Sequence, residues 1–304
     1  PYKIFEGNIN PLDIDFINLS PKSCPKISFL EIEIEEEVAD YKPYLENYFS
    51  LLGNNKVNFF TDVSNYISYE LGQPTHCFDA NTIDSQLIFE NKSCNENFET
   101  LLGTKITLEG KNCVFSTNNK IISLAGVMGG MSTSCSQVTK KALVECAYFK
   151  PESIIGKSVK YNLVSDASHK FERGVDIEAQ DEALRRFIAI VQDHASIKNI
   201  KIQSFEESKI TKPKIPIDVK RINMILGTDL KKDQYLENLD KLGFHINTEI
   251  IPPSYRNDIS SQNDLAEEMA RVLGYNSIKR ESIKITNKPH QHCLLYTSDA
   301  ADEV

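Results

Sequence analysis

Stretches of period-two hydrophobic alternation and stretches of helical spacing follow one another along most of this chain, which restricts it to a mixed α+β fold. Leu30–Glu35 alternates apolar and acidic residues, the pattern of a half-exposed strand. Helical spacing through Tyr44, Leu45, Tyr48, Leu51 and Leu52 predicts a helix over Asp40–Leu52, closed by Gly53 at its C-cap. A second helix, Val63–Leu71, ends at Gly72-Gln73-Pro74. From Asp84 to Leu124 there are only short β-like runs between Asn, Gly and Lys. Asp176–His194 is the clearest helix, with Asp176 placed to cap it and Ala183, Leu184, Phe187, Ile190 and Val191 on one apolar face. The Lys/Ser/Glu/Pro-rich stretch Lys198–Pro216 then reads as a domain boundary around one strand. Beyond it, Val219, Ile222 and Leu226 mark a helix stopped by Gly227, and Leu236, Leu239 and Leu242 a second stopped by Gly243. A brief β pair (Phe244–Ile246 with Ile250–Ile251) and a third helix from Asn263 to Leu273 complete a smaller unit, winged-helix-like in topology.

A length of 304 residues suits about two domains. The formal net charge is -9 and the pI near 5.3, so the overall charge does not advertise a nucleic-acid binder; an RNA would have to be met by local basic patches. No apolar run approaches the ~18 residues of a membrane span, and no signal segment follows Pro1. A soluble, cytoplasmic chain cut from a longer one is therefore expected. The seven cysteines (Cys24, Cys77, Cys94, Cys113, Cys135, Cys146 and Cys293) are odd in number and lack C-x-x-C spacing, as free thiols of a reducing compartment would. The run Cys293–Glu303 resembles a translated sequencing adapter, so residues 293–304 are expected to have no packing role.

Five features could carry chemistry. Asp264, Glu267 and Glu268 lie three and four residues apart on the last helix, with Asp258 just before it. Their mutual repulsion would be relieved by a hard divalent cation. Helix-dipole complementation and pairing with Arg271, four residues after Glu267, explain the same residues without one. His76, after the Gly72–Pro74 break, reads either as a general base or as a core histidine. Its neighbour Cys77 points to the opposite face of an extended chain, which disfavours a Cys-His dyad. Glu145 is a single carboxylate inside the apolar run Ala142–Phe149, and must be paired, hydrogen-bonded or neutral. Ala125–Gly130 lacks the spacing of a phosphate-binding loop, yet its glycines would let a ligand approach the backbone. Lys157, Lys160, Lys170 and Arg173 are cations enough for a phosphate or two, or a solvated face.

Five ordered blocks, ELGQPTHCFD (70–79), AGVMGG (125–130), ECAYFKPESI (145–154), SDASHKFERGVD (165–176) and PSYRNDISSQNDLAEEMARVLGYNSI (253–278), together resemble the beta subunit of phenylalanyl-tRNA synthetase over about residues 20–282. The resemblance implies an α+β B3/B4 editing domain at 20–199, a linker at 200–206, a B5 domain at 207–282 and a tail at 283–304. Residues 1–19 would end a preceding B1-like domain. It implies hydrolysis of mischarged tyrosyl-tRNA(Phe), with Glu145 and Gly126 receiving the phenolic hydroxyl and His76 placing water near the ester. Ser64, Asn65, Ser165 and Ala167 would shape the pocket; the family usually carries threonine where this chain has Ser64 and Ser165. Asp258, Asp264, Glu267 and Glu268 match its magnesium positions at the boundary with the alpha subunit. The implied partners are that alpha subunit, in a heterotetramer of two alpha and two beta chains using ATP, and tRNA-Phe. A freestanding B3/B4-type deacylase and a non-catalytic scaffold are the alternatives.

Overall fold

The computed structural model describes residues 2–83, 86–207 and 211–279; the expected tail 283–304, with its adapter-like segment, lies outside them. Two compact units emerge, one running to Pro213 and including Pro252–Asp258, the other comprising Lys214–Ile251 and the chain from Ile259. The described strands are β1 (Asn10–Pro11), β2 (Asp15–Asn18), β3 (Lys26–Ile34), β4 (His76–Asp79), β5 (Gln86–Glu99), β6 (Lys105–Thr117), β7 (Lys120–Leu124), β8 (Met128–Gly129), β9 (Lys141–Tyr148), β10 (Ile197–Glu206), β11 (Ile215–Pro216), β12 (His245–Ile246) and β13 (Glu249–Ile251). The helices are α1 (Pro43–Leu52), α2 (Phe59–Leu71), α3 (Pro151–Ile154), α4 (Lys157–Tyr161), α5 (Asp166–Arg173), α6 (Gln180–His194), α7 (Val219–Leu226), α8 (Lys232–Lys241) and α9 (Gln262–Leu273).

The first unit is three layers deep, and β3 shows why. Its odd residues Ile27 and Phe29 enter a core shared with Phe89 and Phe115 of the β5–β6 hairpin. Its even residues Leu30, Ile32 and Ile34 enter a second core with α1, α2 and α6. A strand buried on both faces belongs to a middle layer, and β3 lies at the centre of the sheet β1-β10-β3-β9-β4. The other sheet, β2-β5-β6-β7-β8, covers one side of it and the helices cover the other. The expected face of α6 is buried throughout, and Arg186 beside it makes a bidentate pair with Glu70 of α2 at 2.7 and 2.9 Å.

Several expectations are corrected. α6 begins at Gln180 without a side-chain cap; Asp176 instead accepts from the Glu178 amide and the Ser254 hydroxyl. The runs read as short between 84 and 124 join into strands of 14 and 13 residues, because one face of this hairpin is polar and hides the alternation. Leu51 and Leu52 are exposed and Phe49 is buried in their place, so the buried face of α1 (Leu45, Tyr48, Phe49) is rotated from the one expected. Residues 200–206, expected as a linker, form most of β10, which pairs with both β3 and β1. Residues 1–19 contribute an edge strand to each sheet of the first unit.

In the second unit α7 ends at Gly227 in the left-handed region (φ 66°), as the sequence suggests. A small sheet of order β11-β13-β12 accompanies α7, α8 and α9. Tyr235, Leu239, Leu265 and Met269 are fully buried there, and no described residue hydrogen-bonds the Tyr235 hydroxyl. An unpaired buried hydroxyl costs stability. Tyr235→Phe is thus expected to hold or raise stability by about 1 kcal/mol; a lower melting temperature would show that the hydroxyl has a partner.

Candidate functional site

β4 and β9 are antiparallel, with His76 directly opposite Glu145. Opposed residues project from the same face of a sheet with their Cβ atoms about 5 Å apart. That face also sends Phe78, Leu143 and Ala147 into the core between the two sheets, whereas Cys77, Val144 and Cys146 face the helices. On its other side Glu145 stands opposite Phe29 of β3. The three-residue row therefore places a carboxyl group and an imidazole in an apolar inter-sheet layer.

The turn between β7 and β8, with α5, closes this layer at one end. Gly126 holds φ +70°, and a Cβ there would lie 3.1 Å from both Ile154 and Phe149. At Gly129 a Cβ would lie 2.3 Å from His76 Cε1, so only glycine leaves room for the imidazole. The ring also packs edge-on against Phe78 at 4.4 Å. What remains is an inner cavity of about 70 Å³, bounded by His76, Gly126, Gly129, Glu145, Ala167 and Phe171 among others. Beside it opens a wider, more polar compartment of about 290 Å³ bounded by residues that include Tyr48, Ser64, Asn65, Ser165 and Ala167. Pro74, Thr75 and Ala167 line both.

The structure thus gathers Ser64, Asn65, His76, Gly126, Glu145, Ser165 and Ala167 around two adjoining compartments. His76 lines the inner one with Glu145. Burial alone raises the Glu145 carboxyl to about 8 and lowers the His76 imidazole to about 4. Neither shift has the other group as a cause, so the pair is neutral at pH 7 and no salt bridge. No described residue hydrogen-bonds His76 Nε2, which is buried.

The two serines are committed to the frame. Ser64 Oγ donates to the Thr75 carbonyl at 2.7 Å and lies 2.8 Å from the Thr75 hydroxyl. Ser165 caps α5 by accepting from the Ser168 amide, and its hydroxyl donates to the Val127 carbonyl in the glycine turn. Lys170, one of the cations noted in the sequence, donates to the Ser68 carbonyl and hydroxyl and ties α5 to α2. Thr75 and Phe171 were not singled out from the sequence, although both lie within blocks quoted for the resemblance.

The acidic helix is differently arranged from its spacing. Asp264 accepts from the Ser260 and Ser261 amides and the Ser261 hydroxyl, as the N3 member of a capping box. Glu268 is buried and pairs with Arg271, the partner expected for Glu267, while Glu267 is exposed. Asp264 and Glu268 lie about 40° apart around the helix and Glu267 about 100° from Glu268, so Glu267 turns to solvent while Glu268 is buried. Asp258, in the segment that belongs with the first unit, forms a bidentate pair with Arg256 that lowers its carboxyl. Among the described residues no group of three or more His, Cys, Asp or Glu side chains could hold a metal ion.

A mixed α/β domain with this inter-sheet site, followed by a small helical domain, matches two known descriptions. Residues 25–196 match the B3/4 domain and residues 215–275 the tRNA synthetase B5 domain. The chain belongs to the B3/4 domain family, and with its B5 domain it is a chain related to the beta subunit of phenylalanyl-tRNA synthetase. It is 34% identical over 235 residues to the phenylalanine–tRNA ligase beta subunit of Francisella tularensis, covering 74% of this chain and 30% of that one. The Methylococcus capsulatus beta subunit is 31% identical over 268 residues, covering 86% of this chain and 34% of its own length. The chain spans about a third of the length of these relatives. A crystallised N-terminal fragment of the beta subunit from Pyrococcus horikoshii aligns with 90% of this chain and 78% of that one, at 12% identity and a TM-score of 0.41, a likeness too loose to argue from.

Burial of Glu145 has a consequence for stability. Its carboxyl ionises near 4.5 ordinarily and near 8 when folded, so stability is undiminished below about pH 4.5 and is lost as pH rises towards 8. Glu145→Gln, a neutral isostere, is expected to match the parent at pH 4.5 and to exceed it at pH 8, by at most about 5 kcal/mol. Chemical denaturation at both pH values checks this; equal stability at pH 8 would mean that Glu145 ionises as readily folded as unfolded.

Proposed function

We propose that this site hydrolyses tyrosine from mischarged tyrosyl-tRNA(Phe), within a phenylalanyl-tRNA synthetase whose alpha subunit uses ATP to charge tRNA-Phe. The observation that carries the reading is a buried carboxyl group lining a small, mostly apolar cavity, opposite an imidazole whose Nε2 is buried. A pocket selecting phenylalanine rejects the extra hydroxyl of tyrosine only about 10²-fold, so a second, hydroxyl-reading site is useful. Glu145 suits that task. As a neutral acid it can donate to a phenolic oxygen or accept from its proton, and a phenylalanine ring would leave it unpaired.

The inner cavity, at about 70 Å³, is smaller than the ~150 Å³ that holds benzene in an engineered core. The ring would straddle the mouth with its hydroxyl inside, and the ester and terminal nucleoside would occupy the wider compartment. In hydrolysis a water oxygen adds to the ester carbonyl, the bond to the ribose oxygen breaks, and that oxygen takes a proton. His76 lines the inner cavity beside Glu145 and not the wider compartment, so in this pose it bounds the phenolic end of the ring, and the water that attacks the ester is met in the wider compartment. Asn65 and the Thr75 wall orient the ester.

Magnesium is proposed only as an ion that the alpha subunit helps to hold. Calorimetry of this chain with magnesium alone is expected to show no tight binding, because magnesium needs near-octahedral geometry; tight binding would contradict that dependence.

Glu145→Ala removes one hydrogen bond between neutral partners, about 0.5–1.5 kcal/mol, so deacylation of tyrosyl-tRNA(Phe) is expected to fall roughly two- to tenfold. Deacylation of phenylalanyl-tRNA(Phe) is expected to change little. Single-turnover assays with the assembled alpha-beta enzyme measure both; an unchanged tyrosyl rate would refute the assignment.

A further inference from the structure

We infer that Gln73 is a positioning residue for this site, replacing with its side chain a hydrogen-bond donor that proline removes from the wall between the two compartments. The inference rests on the editing reading for its kinetic consequence, though not for its structural one.

The β4–β9 register pairs His76 with Glu145 and Cys77 with Val144. Carried two residues back along the same register, Pro74 falls opposite Ala147. Proline has no N–H, so the ladder loses a donor at that point. Gln73 is 1% exposed, and its Nε2 donates to both the Ala147 carbonyl and the Pro74 carbonyl at 3.1 Å. One amide group thereby ties the strand carrying Glu145 to the residue that walls both compartments. Its orientation is fixed, because a flipped amide would set Oε1 against two carbonyl oxygens. The far end of the same wall is held by Ser64 through Thr75, and His76 follows immediately. Gln73 also comes directly after the left-handed C-cap Gly72 of α2 (φ 71°), so its backbone position is set by the helix end. Released from Ala147, the Pro74–Thr75 wall would lose its hold on the strand, and the imidazole beyond it would lose its place opposite Glu145.

The test uses Gln73→Met, of similar volume and without donors. The His76 ring nitrogens are followed by long-range ¹⁵N NMR in the chain, and kinetics in the assembled alpha-beta enzyme. The His76 signals are expected to shift, and kcat for tyrosyl-tRNA(Phe) deacylation to fall about tenfold with KM changed less than about twofold. A variant folded by circular dichroism with unmoved His76 signals and unchanged kcat would overturn the proposal. Shifted His76 signals with no deacylation by the parent enzyme would uphold Gln73's positioning role and refute the editing reading instead. Should Gln73→Met not fold, Ser64→Ala frees the wall's other end and is expected to shift the same signals. Unmoved signals in that variant would overturn the wall's role.

Discussion

The site depends on one cross-strand pair, His76 opposite Glu145, buried where two sheets meet. A carboxyl group in such a layer is tolerated only if neutral or matched by a partner. The fold makes it neutral by burial, and the same burial keeps the imidazole unprotonated. Everything around the pair serves to hold that layer open by a small amount. Gly129 makes room for the imidazole, and Gly126 allows the turn to pass against Phe149. Ser165 ties that turn to the start of α5. A side chain at Gly129 would collide with the imidazole, and one at Gly126 would press on Ile154 and Phe149.

On the proposed editing reading, this arrangement would discriminate substrates that differ by one oxygen atom. Apolar contact cannot separate the two rings well, because both are large and flat. An unpaired buried polar group can, since it penalises the ring that brings no partner. The wider compartment beside it carries asparagine, serine and the Asp166 carboxylate rather than cations, which in the proposed reading would suit an ester and nucleoside better than phosphate groups. Phosphates of an RNA would then have to be met elsewhere.

Much of the fold was legible where local chemistry and tertiary need coincide. Gly53 and Gly227 stop their helices in the left-handed region, as expected of C-cap glycines. The apolar face of α6 was readable because every member is buried. β10 was not, because Lys198, Asn199, Lys201 and Gln203 interrupt it; its place is fixed by pairing with β3, which a local pattern cannot reveal. The residues gathered around the two compartments are legible through ordered motifs, and Glu145 also through its apolar neighbours. Gln73 lay inside one of those motifs without attracting attention, since its role depends on a proline falling opposite Ala147 in a distant strand. At the acidic helix, spacing alone misjudged the partner. Arg271 pairs with Glu268, and Asp264 caps its own helix.

The most direct measurement is the affinity of the chain for two non-hydrolysable analogues, tyrosine and phenylalanine joined by an amide to 3′-aminoadenosine. If Glu145 reads the phenolic hydroxyl, the tyrosyl analogue is expected to bind at least about tenfold more tightly, the value of one hydrogen bond made in a buried site. Equal affinities in calorimetry, or tighter binding of the phenylalanyl analogue, would contradict the assignment of this cavity to tyrosine recognition.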